Sequence, residues 1–188
     1  MSEQILWFAA RGAGVITMVL LSAVASLGLV AASGRRSPTW PAFLTVEVHR
    51  SLALLSVVFL VVHIVTAVLD PYASLGVVAA VIPLASSYRP IPVALGVIAV
   101  DLVIALVVTS LVRDRVGPLV WRAVHWTAYA AWPLAVLHGI TAGSDAATPW
   151  MLAVDAVCLV AVGVALAARL MATRPDRRRL AQVVARVH

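Results

Sequence analysis

The sequence predicts an all-α integral membrane protein, a bundle of about five transmembrane helices with one short re-entrant or interfacial segment. Three observations carry that expectation. The 188 residues are 63% hydrophobic and 12% charged, with a mean hydropathy of +1.03, whereas soluble domains lie nearer half apolar and a quarter charged. The apolar residues gather into five runs, each near the roughly 20 residues that cross a bilayer. The basic residues cluster between alternate runs, as the positive-inside rule describes for an inserted chain. Five spans make one compact bundle and leave no room for a second globular domain.

The first run covers residues 5–32. It differs from a secretory signal because its apolar core continues from Gly12 to Ala32 and is followed by Arg35 and Arg36, so it reads as a retained helix. The second covers residues 44–69 and ends at Asp70. Before Arg89 comes a shorter apolar stretch, residues 74–86, broken by Pro83. It is too short to span and reads as an interfacial or re-entrant cap. Residues 91–112 form the third span, and Asp114–Pro118 reads as a tight polar loop with a Gly117-Pro118 turn. Residues 119–140 and 150–171 form the last two spans. Cys158 reads as a small buried hydrophobe, and a lone cysteine builds no disulfide framework. From Pro175 the chain reads as a short basic helix on the inner leaflet. Two units result, a membrane domain over residues 1–173 and a basic cytoplasmic tail over residues 174–188.

Charge sets the orientation. Arg174, Arg177, Arg178, Arg179 and Arg186 follow the last span; Arg35, Arg36 and Arg50 flank the first loop; Arg113, Arg115 and Arg122 flank the third. The second loop offers Asp70 and Arg89, and the fourth only Asp145. These place the N-terminus outside and the C-terminus in the cytoplasm. Juxtamembrane arginine accounts for the tail, and nucleic acid is not an expected partner; the lipid bilayer is.

Four histidines lie inside two of the runs: His49 and His63, then His125 and His138. At 1.5 Å per residue they are separated by roughly 21 Å and roughly 20 Å, so neither pair within a helix can share a metal. One span lies between the two runs, which makes them parallel. His49 then meets His125 at the inner level and His63 meets His138 at the outer. Two cross-helix bis-histidine sites suit two b-type haems better than other common ligand sets. Ligation through Nε2 leaves Nδ1–H for the carbonyl one turn earlier. Fourteen residues keep His49 and His63 on one face, whereas thirteen leave His138 about 140° from His125, and Pro133 is expected to supply the correcting kink. Small residues (Ala53, Ser56, Ala128, Ala131, Ala135, Gly139) serve macrocycle approach or plain helix packing equally well.

Haem propionates call for cationic or hydroxyl partners. Arg50 and Arg122 flank the inner pair, while Arg89 with Ser86, Ser87 and Tyr88 flanks the outer. Arg11 is the unusual charge, placed to snorkel or to reach the outer propionates. For Arg50 and Arg122, positive-inside anchoring is an even alternative. Asp101 and Asp155 inside spans are expected to be protonated or arginine-paired. Trp7, Trp40, Trp121 and Trp150 fit an aromatic belt; Phe59 and Trp132, between the two levels, are placed to assist electron passage, with packing the stronger expectation.

With these ligands in place, the chain resembles the ferric reductase-like transmembrane domain family, over about residues 7–171. The resemblance rests on His49-x13-His63 and His125-x12-His138. Softer likenesses to bacterial members run from Leu6-Trp7 to Arg11 and Gly14, from His63 to Asp70-Pro71-Tyr72, along Ser86-Ser87-Tyr88-Arg89-Pro90, and around His125-Trp126 and His138-Gly139. It implies two haem b groups passing electrons from a cytoplasmic to an outer face, in what would be a bacterial plasma membrane. It also implies an oxidoreductase membrane subunit. Family reductases often continue into a flavin- and nicotinamide-binding module, and no glycine-rich phosphate loop is found here. The expected donor is therefore a separate flavoprotein or a quinol, and the expected acceptor a ferric chelate, oxygen or an extracytoplasmic protein. A quinol-oxidising protein of the cytochrome b561 type is the first alternative. A non-redox membrane protein using the histidines as proton carriers is the second.

Overall fold

The computed structural model describes residues 2–33, 41–71 and 75–173. Arg35, Arg36, Trp40, Tyr72, Ser74 and the basic tail from Arg174 onward lie outside the described residues. Within them the chain is helical and has no strand: α1 (Ser2–Ala32), α2 (Ala42–Leu69), α3 (Gly76–Val81), α4 (Pro90–Leu111), α5 (Arg113–His125), α6 (Ala128–Ala142) and α7 (Pro149–Thr173). By length and composition α1, α2, α4 and α7 are long and apolar enough to cross a membrane. In hydrocarbon no water satisfies the backbone, so an apolar run must close its own N–H···O=C bonds, and the helix does this within one segment. The outward faces stay apolar as well: Val58, Val61 and Val65 on α2 and Val157, Val160 and Val164 on α7 are all exposed.

Prolines mark the starts. Pro41 precedes α2 in an extended conformation, and Pro90 and Pro92 occupy the first turn of α4, where a missing N–H costs nothing. The residue before that turn, Arg89, is held at φ 41°. The interfacial stretch contains α3, whose helix stops before Pro83.

Contacts between the helices fix their directions. Val24 of α1 meets His49 of α2 and Ala10 meets His63, so these helices are antiparallel. Met18 packs with Cys158, and Leu29 with Val162 and Ala165, so α1 and α7 run the same way. Pro92 meets His138 and Ser110 meets Trp121, so α4 opposes the α5–α6 segment. Met18 also packs with Val136 and Leu29 with Trp132, so α1 opposes α6 as it opposes α2, and the two histidine-bearing segments are parallel. Trp132 packs against both buried clusters and donates from Nε1 to Ser22 Oγ at 2.9 Å. That hydroxyl donates in turn to Met18 O at 2.8 Å, leaving no polar atom of the pair unpaired at mid-bundle.

The fourth expected span differs most. Residues 119–140 are two helices, α5 and α6, meeting at Trp126 and Thr127. Around that junction Thr127 N–H bonds Val124 O, Tyr129 N–H bonds Trp126 O and Ala130 N–H bonds Thr127 O, each reaching three residues back. Such a stretch advances about 120° per residue instead of about 100°, the direction that brings His138 round towards the phase of its partner. Pro133 stays inside α6, so the interruption precedes it by six residues. The expected polar loop over Asp114–Pro118 is a short helical turn; Gly117, at φ 77° and ψ 162°, makes the bend that only glycine adopts without strain, and Pro118 starts the next turn.

Candidate functional site

The helix directions bring the four imidazoles into two facing pairs. The rings of His49 and His125 lie 6.3 Å apart between centroids and are tilted by 58°. Those of His63 and His138 lie 6.2 Å apart at 77°. All four side chains are half-buried.

Three of the rings are anchored from behind. His49 Nδ1 bonds Val24 O at 3.0 Å, His63 Nδ1 bonds Ala10 O at 2.7 Å, and His138 Nδ1 bonds Pro92 O at 2.8 Å. A carbonyl only accepts, so the hydrogen resides on Nδ1 and the lone pair on Nε2. The expected acceptor, one turn earlier on the same helix, is replaced by carbonyls of α1 and α4. The reason is geometric: a carbonyl in a helix points along the axis into its own ladder, whereas an outward imidazole reaches the neighbouring helix.

Glycine makes that approach possible. A Cβ on Gly14 would lie 3.0 Å from His63 Nδ1, one on Gly28 would lie 3.3 Å from His49 Cε1, and one on Gly96 would lie 2.6 Å from His138 Nδ1. Each glycine stands four residues after the carbonyl that accepts: Ala10 and Gly14, Val24 and Gly28, Pro92 and Gly96. That is the residue whose N–H closes the helical ring on the same oxygen. Removing its side chain uncovers the carbonyl's second lone pair.

His125 is placed differently. Its Nδ1 is buried without a hydrogen-bond partner among the described residues. Its ring stacks on Trp121, one turn earlier, at 4.8 Å and 24°. The Trp121 indole N–H reaches Ser110 Oγ at 3.3 Å, which ties that wall to the end of α4. Just beyond, Arg169 of α7 lies 5.6 Å from the Trp126 ring and 5.5 Å from Tyr129, fastening the α5–α6 junction by cation–π contact.

Beside His63 and His138 opens a cavity of about 270 Å³ with walls from Gly14, Leu60, Gly96, Val97, Ala135 and Met151. Arg11, Asp70, Tyr88, Ser144 and Asp145 also line it. Arg11 forms an ion pair with Asp145, donates from Nε to the same carboxylate at 3.0 Å and to Ser144 Oγ at 2.7 Å, and lies 4.7 Å over the Trp7 ring.

The remaining expected site residues are less engaged. Arg89 is exposed, and its guanidinium donates to Thr141 O at 2.9 Å. Ser87 is exposed and absent from the cavity lining; Ser86 is buried and bonds Tyr88 O at 2.7 Å. Arg50 and Arg122 are exposed on the helices that carry His49 and His125. Asp101 is exposed near the middle of α4, while Asp155 is 6% exposed with Oδ2 unbonded. Neither meets an arginine among the described residues, so the expected arginine pairing is absent there.

Fold and site together define an integral membrane helical bundle with two facing pairs of histidines. The chain belongs to the family described as ferric reductase like transmembrane component, whose model matches residues 13–136. The match takes in His49, His63 and His125 and ends just short of His138. No curated protein and no solved structure matches the chain. Membership makes this a membrane component with a redox-related role, of the oxidoreductase kind.

Proposed function

We propose that the chain holds two haem b groups, one between His49 and His125 and one between His63 and His138, and conducts electrons across the bilayer. The ring spacing carries this reading. Two imidazoles sharing one metal through bonds of about 2 Å, with each nitrogen about 1 Å from its ring centroid, would have centroids roughly 6 Å apart. The observed 6.3 Å and 6.2 Å fit that spacing at both levels. Among the described residues no three His, Cys, Asp or Glu side chains converge, which favours a macrocycle that brings its own equatorial donors over a small-metal cage. The Nδ1 bonds set the tautomer of three imidazoles and leave Nε2 as the nitrogen available to a metal.

Haem b, when bound, supplies a one-electron iron couple that needs no proton from the protein. The chain's own residues orient and insulate it. Gly14 and Gly96 set back the rings of the outer pair, the apolar cavity walls exclude water, and Arg11 offers a cation whose position Asp145 and Ser144 fix. Arg50 and Arg122 serve propionates at the inner level; Arg89 and Ser87 lie at the outer rim. With the N-terminus outside, a group held by His49 and His125 would take electrons from a separate flavoprotein or quinol. A group held by His63 and His138 would pass them to a ferric chelate, oxygen or an extracytoplasmic protein.

Absorption spectroscopy of the detergent-purified protein tests the reading. The expected result is a red preparation with reduced b-type bands and about two haems per chain, one for each bis-histidine pair. A colourless preparation from haem-replete cells overturns it. Pairing is tested separately: His49→Ala and His125→Ala should each delete the same spectral component, and the double substitution should add little, because partners in one site act as a unit.

A further inference from the structure

His125 stands apart from the other three imidazoles. His49, His63 and His138 each rest on a backbone carbonyl beside a glycine. His125 rests on the face of Trp121 and bonds nothing through Nδ1 among the described residues. We infer that the chain holds its two haems unequally: the His49/His125 site, with one ligand stacked instead of hydrogen-bonded, has the higher reduction potential and the more easily displaced ligand. This rests on the two-haem reading above.

The physical argument concerns ligand basicity. An Nδ1–H···O=C bond pushes electron density into the ring and strengthens donation from Nε2, which favours the ferric state and lowers the potential. The His63/His138 site has two such bonds and the His49/His125 site has one. Nearby charge acts in the same direction. Arg50 follows His49 directly and Arg122 lies one turn from His125, both exposed, with Glu47 one turn before Arg50; at the other site Arg11 is neutralised by Asp145, and Arg89, at the rim, stays outside the cavity lining and donates to Thr141 O. Cations without a counter-charge favour the reduced, more negative centre. Ligand retention follows from mechanics. A carbonyl fixes a ring in angle and position, while a stack of 4.8 Å fixes its plane and lets it slide. The α5–α6 junction also begins at the next residue.

Spectropotentiometry of the purified, two-haem protein, with carbon monoxide as probe ligand, tests this. Two one-electron waves of equal amplitude are expected, and His125→Ala should remove the higher. Carbon monoxide should bind no more than half of the reduced haem and shift only the higher wave upward. Trp121→Leu should speed that binding several-fold and leave the lower wave in place; Trp121→Phe, which keeps an aromatic face, should restore the original rate. Where His125→Ala fails to fold, the unaltered protein and the two Trp121 variants still decide. A single wave from both haems, loss of the lower wave in His125→Ala, or carbon monoxide binding to the lower-potential haem overturns the inference and leaves the two-haem reading standing. A colourless protein fails that reading first.

Discussion

A graded series of glycine substitutions probes how closely each imidazole is seated. Gly96→Ala puts a Cβ at 2.6 Å from His138 Nδ1, closer than any real Cβ contact, so the ring must leave its carbonyl. Gly14→Ala, at 3.0 Å from His63, is marginal, and Gly28→Ala, at 3.3 Å from His49, asks for a shift of a few tenths of an ångström. The expected order of haem loss is Gly96→Ala, then Gly14→Ala, then Gly28→Ala, read as haem-to-protein ratio at equal expression. An equal effect at all three would show that the glycines only pack helices. The histidines were legible in the sequence because an imidazole in a membrane span has a desolvation cost that some partner must offset. Their acceptors were not, since a backbone carbonyl carries no letter and a glycine in an apolar run reads first as helix packing.

Among the elements, the α5–α6 junction sets the phase of the outer pair. Inserting one alanine between Thr127 and Ala128 would turn α6 by about 100° and raise it by about 1.5 Å. His138 should then miss His63, while His125, on the near side of the insertion, keeps its place. The measurement is a haem ratio falling from about two to about one, with the component that survives being the one His49→Ala removes; retention of both would mean that Pro133 carries the phase after all. The sequence located four spans as single helices, because length and uniform apolarity leave them no other form. It placed the fourth as one helix bent at proline, because three-residue hydrogen bonds depend on how the surrounding helices clamp Trp126 and Tyr129, which no local pattern records. Packing between α1 and α6 offers a second measurement. Ser22→Ala removes the acceptor of the buried Trp132 N–H and should cost about 1 kcal/mol. Ser26→Ala, whose hydroxyl only bonds back to Ser22 O, should be near neutral in thermal unfolding.

At the scale of the whole molecule, the alternation of helix directions leaves one question of sign, namely which end faces the cytoplasm. On the orientation proposed from the arginine distribution, Asp114 lies inside and the α6–α7 loop outside. In a Cys158→Ala background, a thiol introduced by Ala147→Cys should be labelled by an impermeant reagent on intact cells, and one introduced by Asp114→Cys only after permeabilisation. The opposite labelling would exchange the inner and outer haems without changing their ligands. Arg11 and Asp145 join the start of α1 to the loop before α7, far apart in sequence and adjacent in space. Either residue changed to alanine leaves the other as a lone charge at a half-buried site. The double change should therefore destabilise by less than the sum of the two singles, by roughly 1 kcal/mol.

The origin of the acceptor carbonyls also bears on biogenesis. Both histidines of α2 find their acceptors on α1, the helix made immediately before it, so the first hairpin to leave the ribosome already fixes two tautomers. His138 finds its acceptor on α4, again a helix synthesised earlier. No anchored imidazole waits for a later element, and both rings of α2 have their acceptors while α5 and α6 are still being translated. On the two-haem proposal, cofactor capture would begin on that hairpin, with arrival of α6 as the closing event.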